Sequence, residues 1–136
     1  RGGRSLKLLL DTQCLLWWFT EPERLNSDAI EQIVAEDNEL FFSVASAWEI
    51  AIKVGIGKLP LTEPVDVYVA SRMRLLGAKS LDIILPHAYR VATLPLLHRD
   101  PFDRILLAQA QIEQMTLVTA DEILTQYGIS LLWAKA

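Results

Sequence analysis

The sequence predicts an α/β fold, a three-layer sandwich around a mainly parallel sheet of roughly five strands. Three observations carry this expectation. Short, nearly continuous apolar runs such as Leu8-Leu9-Leu10 and Leu40-Phe41-Phe42 suit strands buried on both faces. Segments with apolar residues at helical spacing alternate with them. The 136 residues, 51% hydrophobic and 22% charged, fit one domain with a full core and exclude global disorder.

In chain order, Arg1 to Ser5 lacks a starting Met and reads as an expression scar, leaving residues 6–136 as a single domain. Leu6 to Leu10 is the first strand, ending at Asp11, and Thr12 to Phe19 a helix broken by Glu21-Pro22-Glu23. Asn26-Ser27-Asp28 offers a cap for a helix to about Glu36, with Ala29, Ile30, Ile33 and Val34 as its stripe. Leu40 to Ser43 is a second strand and Ser46 to Val54 a helix stopped by Gly55 and Gly57. Pro64 to Leu76 is amphipathic, with Gly77 as its cap. A strand over Lys79 to Ile84 and a short helix over Pro86 to Thr93 follow. The helix opened by Asp100-Pro101 is apolar nearly all round and therefore buried on most sides. Thr116 to Thr119 is a strand, about Asp121 to Tyr127 a helix capped by Gly128, and Ile129 to Trp133 the last strand.

Composition narrows the function. The longest uncharged stretch, Ile123 to Ala134, is too short to cross a bilayer, and no secretory leader is visible, so a soluble, cytosolic protein is expected. Cys14, the one cysteine, excludes an internal disulfide or a multi-cysteine zinc site, and two histidines argue against a histidine-rich one. The net charge of −4 argues against gripping nucleic acid with the whole surface. Residues 21–49 hold eight acids against one base, whereas residues 50–104 hold eight bases against five acids. That asymmetry fits either ordinary solvated faces or a basic rim for a polyanion.

Four acids fall just past a strand or in the first turns of a helix: Asp11, Glu49, Asp103 and Asp121. Each has a plain structural account. Ser46 and Glu49 form a capping-box pattern, as do Thr119 and Glu122; Asp100 caps ahead of Pro101, leaving Asp103 to favour the helix dipole; Asp11 caps its own helix. In a parallel sheet, however, all four belong at the carboxyl edge where sites form. Carboxylates gathered there repel one another unless a cation compensates, and Mg²⁺ or Mn²⁺ suits an all-oxygen set. Such an ion activates water and screens charge on a phosphodiester.

These residues carry a resemblance. Leu9-Leu10-Asp11-Thr12, Ser46-Ala47-Trp48-Glu49-Ile50-Ala51-Ile52-Lys53, His98-Arg99-Asp100-Pro101-Phe102-Asp103-Arg104 and Leu117-Val118-Thr119-Ala120-Asp121 resemble the PIN-domain family. More narrowly, they resemble the VapC toxins of bacterial VapBC toxin–antitoxin pairs. The resemblance implies a Mg²⁺- or Mn²⁺-dependent endoribonuclease. Asp11, Glu49 and Asp103 match its metal-binding acids, and Asp121 the fourth, nearer a second ion or a water. Thr12 and Thr119 match polar neighbours that position them, and Asp100 a further motif acid. Lys53, Arg99 and Arg104 are candidates for steering the RNA backbone, although Lys53 also suits a pair with Glu49. The resemblance further implies a homodimer and a cognate VapB-type antitoxin, with DNA contacted only through the antitoxin. Trp17, Trp18, Phe19 and Trp48 are candidates for lining its groove or, equally, for core packing.

Two positions depart from the family pattern: Gln13 stands where relatives often have His, and Cys14 where Ala or Val is common. Other acid-site enzymes fit less well, since an aspartyl-nucleophile phosphatase needs an acid where Gln13 stands. The remaining alternative is a non-catalytic binding module whose acids are all helix caps.

Overall fold

A computed structural model describes residues 5–136; residues 1–4 of the leading segment set aside above lie outside the described residues. Strand β1 (Lys7–Leu10) leads into helix α1 (Thr12–Thr20), and a 3-10 turn (Pro22–Arg24) into α2 (Ser27–Val34). Then come β2 (Glu39–Ser43), α3 (Val44–Gly55), α4 (Val65–Leu76), β3 (Ala78–Leu81), α5 (Leu85–Val91) and α6 (Pro101–Glu113). The chain ends with β4 (Thr116–Thr119), a 3-10 segment (Glu122–Tyr127) and β5 (Leu131–Trp133).

The five strands form one sheet in the order β3-β2-β1-β4-β5, and every pairing is parallel. Leu8, Leu9 and Leu10 are buried because β1 is central, with a strand on each side and helices over both faces. Leu8 and Leu10 join a core with Leu15, Ile33, Phe42 and Ile50. Leu9, facing the other way, joins Leu106, Leu107, Leu117 and Leu124. Removing a leucine of this kind from water is worth roughly 1.5–3 kcal/mol, so each face contributes substantially to the sandwich. Both cores end at the carboxyl edge of β1 and β4. There β2 lies on one side of β1 and β4 on the other, which makes the gap between β1 and β4 the topological switch point.

Several local expectations shift. Helix α3 starts earlier than predicted, because Ser43 rather than Ser46 is its cap: Ser43 Oγ accepts from the Ala45 amide at 3.0 Å. Ser46 is buried inside the helix with its hydroxyl unpaired, so the Ser46–Glu49 capping box does not form and Glu49 is free for other contacts. Strand β3 stops at Leu81 because its ladder partner β2 ends at Ser43. The segment after β4 is a 3-10 helix capped by Asp121, which accepts from the Ile123 amide at 2.9 Å; Thr119 is engaged elsewhere. Gly77 ends α4 at φ 71°, a left-handed turn that glycine adopts without steric cost. Among the described residues, no helix is long and apolar enough to cross a membrane.

Candidate active site

The four predicted acids line one cleft at the switch point, about 540 Å³ in volume. Asp11 comes directly off β1 and is buried, with both oxygens engaged. Oδ1 accepts from the Cys14 amide at 2.7 Å, capping α1, and Oδ2 accepts from Thr119 Oγ1 at 2.6 Å. The same Thr119 oxygen accepts the Asp121 amide at 3.1 Å, so one hydroxyl ties the end of β1 to the turn after β4. From α3, Glu49 reaches the cleft with Oε1 accepting from Thr12 Oγ1 at 2.7 Å and Oε2 paired with Lys53 at 3.0 Å.

Asp103 and Asp121 converge on one ring, with His98 between them. His98 Nε2 is 3.0 Å from Asp103 Oδ2 and 2.9 Å from Asp121 Oδ2, and the three donor atoms lie within 4.8 Å of one another. Asp11 and Glu49 share the cleft without joining that tight group. Helix capping accounts for Asp11, Asp100 and Asp121. It does not account for Glu49 or Asp103, whose carboxylates cap nothing and face the same cleft.

The electrostatics follow from burial and then from crowding. The cleft wall carries Asp11, Glu49, Asp100, Asp103, Asp121 and Glu122 against Lys53 and Lys135. Burial, and then the charges of Asp100, Asp11 and Asp121, push the Asp103 carboxyl up to about 7, with His98 opposing the rise. Burial also raises Asp11, against the hydrogen bonds from Thr119 and Cys14. A carboxylate set this crowded and this short of positive charge fits a hard cation with oxygen ligands, to which Asp11, Glu49, Asp103 and Asp121 would contribute.

Other expectations change. Arg104 is buried and does not face the cleft: Nη1 donates to the carbonyls of Pro95 and His98, and Nη2 to those of Val91 and Leu94. It braces the loop between α5 and α6 and is not placed to steer a phosphate. Lys53 and Lys135 are the cations on the cleft wall. Trp17 and Phe19 line an adjoining groove with Leu59, Leu61, Lys58 and Arg72. Trp18 lies in a different hollow, and Trp48 packs edge-on against Phe102 at 5.2 Å. Gln13 is exposed on the cleft rim, and Cys14 is buried, as its small apolar character predicts. His98 opens the motif that runs to Arg104 but carries no site role in the sequence reading, because a count of two histidines argues against a histidine-rich site and says nothing about a single ring placed by a loop. The signal was its position two residues before the Asp100 cap.

Fold and site together define a class: a parallel three-layer α/β domain with a carboxylate cleft at the switch point between β1 and β4. The chain belongs to the PIN domain family, whose sequence model matches residues 8–129. It is similar to the protein named ribonuclease VapC16 of Mycobacterium tuberculosis, 43% identical over 75 residues. That match covers 52% of this chain and spans about half, 53%, of the relative. Ribonuclease VapC22 of the same organism is 31% identical over 125 residues, covering 88% of this chain and 91% of the relative. Among solved structures, the fold matches VapBC2 from Rickettsia felis bound to a DNA fragment from their promoter. There the TM-score is 0.71 at 16% identity, covering 96% of this chain and 100% of the other.

Proposed function

We propose that this chain is a divalent-metal-dependent endoribonuclease, the toxin of a toxin–antitoxin pair, with Mg²⁺ or Mn²⁺ as its ion. The observation that carries the reading is the gathering of Asp11, Glu49, Asp103 and Asp121 on one cleft, where burial and then neighbouring charge push the Asp103 carboxyl up to about 7. The relatives' names as ribonucleases supply the reaction class. Asp11, Glu49 and Asp103 would hold the ion, with Asp121 beside them; the bound ion supplies Lewis acidity toward water and the phosphate.

The chain's own groups do the rest. Thr119 fixes Asp11, and Thr12 fixes Glu49, so neither carboxylate needs to reorganise when substrate arrives. Asp121 would orient the attacking water: its oxygen bonds to phosphorus as the P–O bond to the leaving oxygen breaks, the water's proton passes to a cleft carboxylate and the leaving oxygen takes one from solvent. Lys53 and Lys135 attract the RNA backbone to an otherwise acidic wall.

Two partners belong to the same proposal. The groove of Trp17, Phe19, Leu59 and Leu61 beside the cleft suits an apolar segment of a VapB-type antitoxin. The apolar pocket of Ala45, Trp48, Ile83, Pro101, Phe102 and Ile105, with Trp48 59% exposed, suits a second copy of the chain. DNA contact would come through the antitoxin, and the working compartment would be the bacterial cytoplasm. Incubating purified protein with an RNA pool in Mg²⁺, Mn²⁺ or EDTA, beside Asp11→Asn, tests the reading. Discrete cuts lost in EDTA and in the variant are expected. Cuts that persist in both would overturn it, as would a complete absence of cleavage together with no metal uptake.

A further inference from the structure

His98 stands in the loop between α5 and α6, yet it is held at four atoms. Its amide donates to the Tyr127 hydroxyl at 2.7 Å, and its carbonyl accepts from Arg104 Nη1 at 3.2 Å. Ring nitrogen Nδ1 accepts the Asp100 backbone N–H at 3.2 Å, while Nε2 faces the Asp103 and Asp121 carboxylates. A backbone amide can only donate. Nδ1 therefore presents its lone pair, and the ring proton sits on Nε2, pointing at the two acids. Asp103 and Asp121 line the cleft, and the mostly buried His98 ring reaches both of their carboxylates.

That tautomer separates two roles. The three donor atoms have spacing suitable for an ion. A ligating Nε2, however, must offer its lone pair, which moves the ring proton to Nδ1 and sets it against the Asp100 amide hydrogen. Metal-binding histidines keep an acceptor at their other ring nitrogen, and here that place is taken by a donor. We propose that His98 is a positioning residue whose Nε2–H spans Asp103 and Asp121, holding the two carboxylates together for the cation without ligating it. This inference rests on reading the acidic cleft as a metal centre.

The arrangement answers a physical need. Asp103 rides on α6 and Asp121 on the turn after β4, so two like charges from separate elements must be kept within 4.8 Å of each other. A hydrogen-bond donor between them opposes the repulsion before any ion arrives. Asp100 belongs to the same unit. Its carboxylate caps α6 through the Phe102 and Asp103 amides, while its own amide selects the His98 tautomer.

Nitrogen-15 NMR of the metal-free wild-type protein reads the tautomer directly: Nε2 protonated and Nδ1 bare is expected, and the reverse overturns the proposal. Mn²⁺ titrations then compare wild type with His98→Gln, which keeps an amide donor at similar reach, and with His98→Ala. The alanine variant should weaken Mn²⁺ binding by about 10–100-fold, and glutamine should recover most of it. Equal affinity in all three overturns the role. Pulsed EPR of the Mn²⁺-loaded wild type provides a further check, since directly coordinated nitrogen that vanishes in His98→Ala makes His98 a ligand and overturns it too. Should the alanine variant fail to fold, the wild-type NMR decides the tautomer, and directly coordinated nitrogen in the wild-type EPR still overturns the proposal, because the other groups of the set offer only oxygen. Mn²⁺ uptake without RNA cleavage by wild type would reject the nuclease reading and leave this role standing; no uptake at all would reject both.

Discussion

Thr119 Oγ1 donates a 2.6 Å hydrogen bond to Asp11 Oδ2 across 108 positions of sequence. Both residues are buried, and they stand at the ends of the two strands that flank the switch point. The bond joins the most deeply set acid of the cleft to the turn that carries Asp121.

Thr119→Val keeps the shape and removes the donor, leaving a buried carboxylate oxygen short of a partner. A loss of about 1–3 kcal/mol in urea unfolding is expected. Thr119→Ser should retain most of the stability, because the hydroxyl is kept. Equal stability of the valine variant and wild type would remove Thr119 from the support of Asp11.

Arg104 gives a second stability prediction. Its guanidinium donates to four carbonyls of the segment 91–98, so Arg104→Met strands those acceptors and frees the loop that carries His98. A cost of about 2–3 kcal/mol is expected, with faster amide exchange across the loop. Weakened RNA binding at unchanged stability would instead assign Arg104 to the substrate.

The acid cleft makes stability depend on pH. The Asp103 carboxyl is pushed up to about 7 by burial and neighbouring charge, from an ordinary value of 3.8. Between those values the folded chain holds a proton that the unfolded chain has lost. The contribution of Asp103 to the stability of the metal-free protein is therefore lost as pH rises from about 4 to 7, and the raised Asp11 carboxyl acts in the same direction. In EDTA, the contribution of this pair favours a higher melting temperature at pH 5.5 than at pH 8. Asp103→Asn should flatten the difference. Mg²⁺ should stabilise the wild type more at pH 8, where no proton has to leave. A variant with the wild-type slope would reject this assignment.

Cys14 should be chemically silent in the native state. Burial and the adjacent Asp11 charge push its thiol well above the ordinary range, so little thiolate forms. A disulfide reagent at pH 8 is expected to label it only after unfolding. Stoichiometric labelling of the folded protein would contradict the burial.

Much of the fold was legible because its signals are local. The all-apolar run of Leu8, Leu9 and Leu10 can be satisfied only by cover on two faces, and the Asp100-Pro101 pair starts a helix wherever it occurs. The choice of cap for α3 was decided at longer range. Ser43 and Ser46 both sit before a helical run, and Ser43 took the cap while its hydroxyl donates to Gln109 from α6, a contact that no spacing announces.

By itself, then, the sequence determined the alternation of strands and helices, the carboxyl-edge placement of Asp11, Glu49, Asp103 and Asp121, and the family pattern they carry. Only the tertiary structure decided that Arg104 turns inward, that Thr119 bonds Asp11, and that His98 enters between Asp103 and Asp121. The reason is physical. Periodicity and capping depend on residues a few positions apart, whereas the path of the loop carrying His98 depends on where a buried guanidinium, a Tyr127 hydroxyl and the Asp100 amide find their partners.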